Sequence, residues 1–387
     1  MRIYLDNAAT TWPKPEAVYQ AITAAQRDWG IAAGRGVTRE AAQVARMLAE
    51  LRGQLVALLN ADSPGGIVFT VNGTAALNLA IHGWLLPGDH AICTAADHNS
   101  ALRPLRWLEQ TAGVAVTRVP CDAAGWVDPA AIASAWRANT RLVTCTHAGN
   151  VTGTLLPAAE IGRIARERNG YFLLDAAQTL GQIPVDVAAL NVDLLAAPGH
   201  KSLLGPLGTG VLYVGPRCRE ELRPLIQGGT GSVSEQLDQP WDLPERFESG
   251  NQNYPALAGL AEGLRWIQAR GLNEIALHSR ELSRRFRALL SERIPRDRLT
   301  IIGPEQVEAG VGVVSVAAAE YDPQDLAIIL DQQEPRIQTR AGLHCAALIH
   351  EALGTAGRGG TLRFSWSPFT TTEEIERAVE ALGRVLG

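Results

Sequence analysis

Asp175 ends an apolar, strand-like run, YFLLD, and Lys201 follows in the loop after Gly199-His200. A lysine amine forms a Schiff base with an aldehyde, and a carboxylate pairs with a pyridinium nitrogen. Held at the two ends of one ring, they are the protein's share of pyridoxal phosphate chemistry. Beside Lys201, Asp175 reads as that ring partner rather than as the N-cap of a following helix. Gln178 closes the same segment. The plain alternative for Lys201 is a solvated loop lysine. A Walker phosphate loop is excluded, because His200 rather than glycine precedes Lys201-Ser202. Gly205, Gly208 and Gly210 precede a strand instead of opening a helix, so they form no dinucleotide fingerprint.

Other polar residues fall where strands should end. Gly73 and Thr74 lie between the run IVFT and a helix, with Thr74 at or near the N-cap. The free N–H groups of a first helical turn make an anion site there, or simply a capped turn. His98, after AICTA, could stack on an aromatic ring and exchange protons; its alternative is a surface histidine near a helix start. Asn150, flanked by Gly149 and Gly153, could donate an amide hydrogen bond to a ring substituent or a substrate, or serve only a turn. Cys345, in TRAGLHCAALIHEALG, stands just ahead of an apolar helix. A thiol at a helix start is the more readily ionised, and His344 and Arg340 could add positive charge. Its alternative is a small buried residue on that helix. Arg363 offers a guanidinium fork for a carboxylate, or an exposed strand arginine.

Positioning these residues requires an alternating scaffold. Helical patterns cover 15–29 and 38–59, a strand 67–70 and a helix 74–85. Short apolar runs at 91–95, 114–119, 141–147, 171–175, 193–197 and 211–215 are mostly separated by helix-length segments. That alternation predicts an α/β domain with a large, mostly parallel sheet covered on both faces. After residue 254 the pattern changes to helices at 255–270 and 272–293, strands at 299–302 and 311–317, helices at 322–332 and 345–353, a strand at 362–366 and a helix at 371–385. The division expected is a large cofactor-binding α/β domain over 15–254, and a smaller α+β domain, 1–14 with 255–387, that carries Cys345. The Gly/Ser-rich stretch 227–236 reads as a functional or mobile loop.

Composition narrows the function class. The 387 residues carry a net charge of −5, which gives no general attraction to nucleic acid or an anionic membrane. No apolar run approaches the roughly 18 residues of a membrane span, and MRIYLDNAATT lacks the apolar core of a signal peptide. The five cysteines are an odd number without metal-ligand spacing, so no metal site is expected, and in the cytoplasmic protein expected here they read as buried thiols or a nucleophile rather than a disulfide framework.

Taken together, YLDNAATT at 4–11, the Thr74 turn, His98, Asn150, Asp175, Gln178, His200-Lys201 and RAGLHC ending at Cys345 resemble the class V aminotransferase family, and within it the cysteine desulfurases. The resemblance runs over nearly the whole chain and implies a fold-type I pyridoxal-phosphate enzyme. It implies that Lys201 carries the cofactor and moves protons at the substrate α-carbon. By the same resemblance His98 stacks on the ring, Asp175 pairs with its nitrogen and Gln178 bonds its phenolic oxygen. Gly73, Thr74 and His200 would hold the phosphate. Gly229 and Thr230 resemble a loop that reaches the phosphate from the other subunit of a homodimer. Asn150, Arg340 and Arg363 would bind the substrate carboxylate, and Cys345 would take the sulfur of L-cysteine as a persulfide, for delivery to an acceptor protein. Pro198 departs from the pattern, standing where many relatives carry a phosphate-binding serine. The segment around Cys345 resembles the subgroup with a short, ordered cysteine loop. Selenocysteine lyase activity in the same pocket, a class V transaminase or epimerase with a structural Cys345, and a silent scaffold are the alternatives.

Overall fold

The computed structural model describes residues 2–32, 37–233 and 235–387. Its strands are β1 (Arg2–Tyr4), β2 (Ile67–Thr70), β3 (His90–Thr94), β4 (Ala115–Val119), β5 (Thr140–Thr146), β6 (Tyr171–Asp175), β7 (Leu194–Pro198), β8 (Gly210–Val214), β9 (Leu299–Ile302), β10 (Val313–Ala318), β11 (Arg336–Gln338), β12 (Arg340–Gly342) and β13 (Thr361–Ser365). The helices are α1 (Glu16–Ala24), α2 (Arg39–Leu59), α3 (Gly73–Trp84), α4 (Asn99–Thr111), α5 (Pro129–Ser134), α6 (Ala158–Glu167), α7 (Tyr254–Arg270), α8 (Leu272–Arg293), α9 (Pro323–Gln332), α10 (Ala347–Ala352) and α11 (Thr372–Leu386).

Seven strands form one sheet in the order β2-β8-β7-β6-β5-β3-β4. From β7 to β4 every pairing is parallel, and β8 alone runs against its neighbours. A sheet with helices on both faces has no solvated side, which is why its strands read as continuous apolar runs. The two-residue period still sorts them. Phe172 and Leu174 enter the core shared with Leu51, Leu55 and Leu264, whereas Leu173 enters the core shared with Leu77, Ile81 and Leu105.

The second sheet, β12-β13-β10-β9, is antiparallel throughout. Phe364 and Trp366 pack on Phe286 of α8, and the same core takes in Ile375 and Leu382 of α11. Among the described residues β1 pairs only with β11, parallel. The residues that follow β1 cross back to the large sheet: Asn7 N–H bonds the Ser365 carbonyl, and Thr11 N–H bonds the carbonyl of His200. The N-terminal segment therefore ties the small sheet to the turn that carries Lys201.

Three local expectations are corrected. The helix expected over 15–29 is α-helical only to Ala24, after which residues 25–29 widen into a π-helical turn. The helix expected over 345–353 is only Ala347–Ala352, because His344 and Cys345 both adopt left-handed backbone angles that cannot open a right-handed helix. Asn72, not Thr74, caps α3.

Candidate active site

Ligands of open α/β sheets sit beyond the carboxyl ends of the strands. Here those ends enclose a cavity of about 270 Å³. It is lined by Gly73, Thr74, His98, Asn150, Asp175, Gln178, His200, Lys201, Arg340, Cys345 and Arg363. Of the residues singled out in the sequence, Gly229 and Thr230 are not in that lining.

One end of the cavity is built for an anion. Asn72 Oδ1 accepts the Ala75 N–H at 2.8 Å, and no carbonyl within the helix reaches the N–H groups of Gly73 and Thr74. Glycine at 73 lets the helix start close on β7, since a Cβ there would stand 3.1 Å from Pro198 Cδ. Pro198 thus fills this wall and offers no donor. The Thr74 hydroxyl lies 2.7 Å from that of Ser100, which lies 2.9 Å from His98 Nδ1. His98 is itself the N-cap of α4: its Nδ1 accepts the Ser100 N–H at 3.1 Å, which places the ring proton on Nε2. Burial, with Lys201, Arg363 and Arg103 nearby, pushes His98 down to about 4, so it is a neutral imidazole at physiological pH.

The floor holds the carboxylate and the amine. Asp175 is the last residue of β6, and no helix follows it, so the N-cap alternative fails. Its Oδ1 accepts the Ala177 N–H at 3.0 Å. Burial raises the carboxyl, while the Ala177 N–H and Lys201 pull it back. Burial pushes Lys201 down to about 8 against the pull of Asp175. Gln178 Nε2 bonds the Ala8 carbonyl at 3.1 Å. His200 Nδ1 is a buried polar atom with no partner among the described residues, and burial lowers its ring to about 4.

The third side joins Arg363 to Cys345. Arg363 is 3% exposed, so it is not a solvated strand arginine. It donates to Asp6 Oδ1 at 2.9 Å and to the Asn150 carbonyl at 3.0 Å, and its Nε is buried without an acceptor among the described residues. The Asn150 amide donates to the His344 carbonyl at 2.6 Å, and Asn99 N–H donates to the Cys345 carbonyl at 2.8 Å. Cys345 itself is exposed at the cavity mouth. His344 does not supply the positive charge the sequence suggested. Its Nε2 is bonded to Thr361, and burial together with Arg363 drives its ring down to about 2.

Four contributors were given no site role from the sequence. Asp6 pairs with Arg363, and Ser100 links Thr74 to His98. Asn72 caps the anion-facing helix. Asp97 is fully buried and bridges two strand ends, accepting from Thr94 N–H at 2.8 Å and Thr146 N–H at 2.6 Å. The signal for Asp6 and Asp97 was present as a lone carboxylate next to an apolar run. Among the described residues no group of three or more His, Cys, Asp or Glu side chains could hold a metal ion.

Residues 3–378 match the family model described as Aminotransferase class-V. A probable cysteine desulfurase of Methanothermobacter thermautotrophicus is 36% identical over 100% of this chain and 95% of its own. A cysteine desulfurase of Escherichia coli is 31% identical over 99% of this chain and 93% of its own. The solved apo cysteine desulfurase of Thermococcus onnurineus superposes with a TM-score of 0.91 at 30% identity, covering 99% of this chain and 94% of that one.

Proposed function

The chain belongs to the class V aminotransferase family, and we propose that it is a pyridoxal-phosphate cysteine desulfurase that converts L-cysteine to L-alanine and takes the sulfur on Cys345 as a persulfide. The observation that carries this reading is an exposed thiol at the mouth of the cavity whose floor holds Lys201 and Asp175 and whose wall holds Arg363.

The residues present fit the cofactor. Its phosphate would lie on Gly73, Thr74 and His200, whose Nδ1 is otherwise an orphaned buried atom. Its ring would lie between His98 and Asp175, and its aldehyde carbon would meet Lys201. When bound, it supplies the electron sink that makes the substrate's bonds at the α-carbon labile. The chain's own residues do the rest. Asp175 keeps a ring nitrogen protonated, because a buried carboxylate beside it favours the positive form. Lys201 Nζ holds or moves a proton at the α-carbon; lowered to about 8, it releases that proton far more easily than an exposed lysine would. His98 is neutral with its proton on Nε2 and is a second proton carrier. Arg363 and Asn150 orient the substrate carboxylate, with Arg340 beside them, and orientation is worth several kcal/mol of barrier. Cys345 Sγ attacks the substrate sulfur; the S–S bond forms as the C–S bond breaks, the electron pair of that bond stays with the carbon, and the carbon takes up a proton to end as the methyl of alanine.

The exposed position of Cys345 suits hand-over of its persulfide to an acceptor protein. Gly229 and Thr230 stand outside the cavity, and the surrounding segment exposes Leu225, Ile226, Leu237 and Trp241. A second copy covering that segment would bring Thr230 to its partner's phosphate site, which favours a homodimer with shared sites.

Wild-type protein given pyridoxal phosphate, L-cysteine and a thiol reductant should release alanine and sulfide, and Cys345→Ala should release neither. Retained turnover in Cys345→Ala would overturn the desulfurase reading in favour of transamination or epimerisation. Selenocysteine uses the same contacts, and relative rates with the two substrates decide the preference.

A further inference from the structure

Lysine is nearly absent from this chain. Lys14 and Lys201 are the only two among 35 basic residues, and arginine supplies all the others. Both meet at one turn. Lys14 Nζ donates to the His200 carbonyl at 3.1 Å and to the Thr11 carbonyl at 3.0 Å. The same His200 carbonyl receives the Thr11 N–H at 3.1 Å and the Thr10 hydroxyl at 3.2 Å. Three donors thus converge on the peptide group immediately before Lys201. The turn beyond is closed by Leu204 N–H on the Lys201 carbonyl and Gly205 N–H on the Gly199 carbonyl, each at 2.8 Å. An ammonium is compact and carries tetrahedral donors, so it can sit between two carbonyls; a guanidinium is a planar fork that needs more room. That is a physical reason for lysine to survive at position 14 in a chain that otherwise uses arginine.

We propose that Lys14 is a positioning residue for Lys201: its ammonium clamps the His200 carbonyl to the N-terminal segment and so fixes the base of the lysine that meets the cofactor. Two further observations agree. Burial lowers Lys14 to about 8, the mark of an amine drawn into the fold rather than left on the surface. Its charge also adds to the burial that keeps the His200 ring neutral.

The proposal rests on the reading that Lys201 forms the cofactor linkage, and one experiment separates the two. Cofactor-free protein is mixed with pyridoxal phosphate, the linkage is reduced with borohydride at timed intervals, and the pyridoxyl tag is located by peptide mass. With only two lysines the assignment is unambiguous. Wild type should carry the tag on Lys201; a tag absent from Lys201 in wild type sinks the reading of the site itself. Lys14→Met should slow tagging of Lys201 by about tenfold, the factor that one hydrogen bond to a charged group is worth. Lys14→Gln, which keeps a donor, should recover most of it. Tagging of Lys201 in Lys14→Met at the wild-type rate, with only the melting temperature lowered, would reduce Lys14 to a structural role and overturn the proposal. Should Lys14→Met fail to fold, reductive methylation of wild type decides. Lys14 should react at least tenfold more slowly in the folded chain than in urea, consistent with an amine held between two carbonyls; equal rates would overturn the clamp.

Discussion

In the proposed reaction Lys201 would be protonated at one moment and free at another, and its surroundings suit both. Burial lowers it to about 8 while Asp175 keeps the cation from being expelled altogether. Amine-selective labelling of cofactor-free protein should therefore show a Lys201 midpoint near 8, against about 10.4 for an unperturbed lysine; a midpoint above 10 would mean that the amine is solvated. The sign for stability follows. Between about 8 and 10.5 the unfolded chain holds a proton that the folded chain has released, so this group makes the fold more stable as pH rises through that window. His98 works the other end of the scale. Lowered to about 4, it should show no imidazole titration by NMR between pH 8 and 5.5, and a midpoint near 6.5 would contradict the buried, neutral ring. Between about 4 and 6.5 only the unfolded state binds that proton, so the His98 contribution to stability falls as pH is lowered through that window.

At the scale of elements, the cysteine loop is the least expected feature. His344 and Cys345 have φ of 49° and 58°, a left-handed pair without glycine. Their carbonyls are held by Asn150 from the loop after β5 and by Asn99 at the start of α4. A left-handed conformation costs an L-residue about 1–2 kcal/mol, and glycine escapes that cost at the expense of a more flexible unfolded chain. Of the two variants that remove the thiol, Cys345→Gly should then be more stable than Cys345→Ala by about 1 kcal/mol, read from urea midpoints. The opposite order would mean that the loop relaxes to ordinary backbone angles. This conformation was not legible in the sequence, because its carbonyls are held from far along the chain, by the Asn150 side-chain amide and the Asn99 main-chain N–H. For the same reason the three-residue strands β1, β11 and β12 were missed: each exists only through its pairing. The strands of the large sheet were legible, since burial on both faces leaves continuous apolar runs such as LLAAP and GVLYV. That Asp175 and Lys201 would line one cavity was legible too, because polar chemistry at the end of such a run stands out.

For the whole molecule, the question is whether one chain makes one site. The cavity gathers its floor, anion end and thiol from a single chain, yet Thr230 lies outside it, on a stretch where Ile226 is 67% and Leu237 106% exposed. Bare apolar side chains of that size beside a polar loop are the pattern of a surface that another copy covers. Light scattering should give twice the mass of the 41.4 kDa chain. The sharper test uses a purified heterodimer of one Lys201→Ala chain and one Thr230→Ala chain, separated by different tags. Thr230→Ala alone should weaken activity by about tenfold at limiting cofactor, the loss of one hydrogen bond to a charged phosphate. If Thr230 acts across the interface, the chain that keeps Lys201 receives its threonine from the partner, so the heterodimer should show half the wild-type activity. If Thr230 acts within its own chain, that same site lacks it, and activity should fall to about a twentieth. The second result would place the loop in the cis site and sink the shared-site arrangement while leaving the desulfurase chemistry intact.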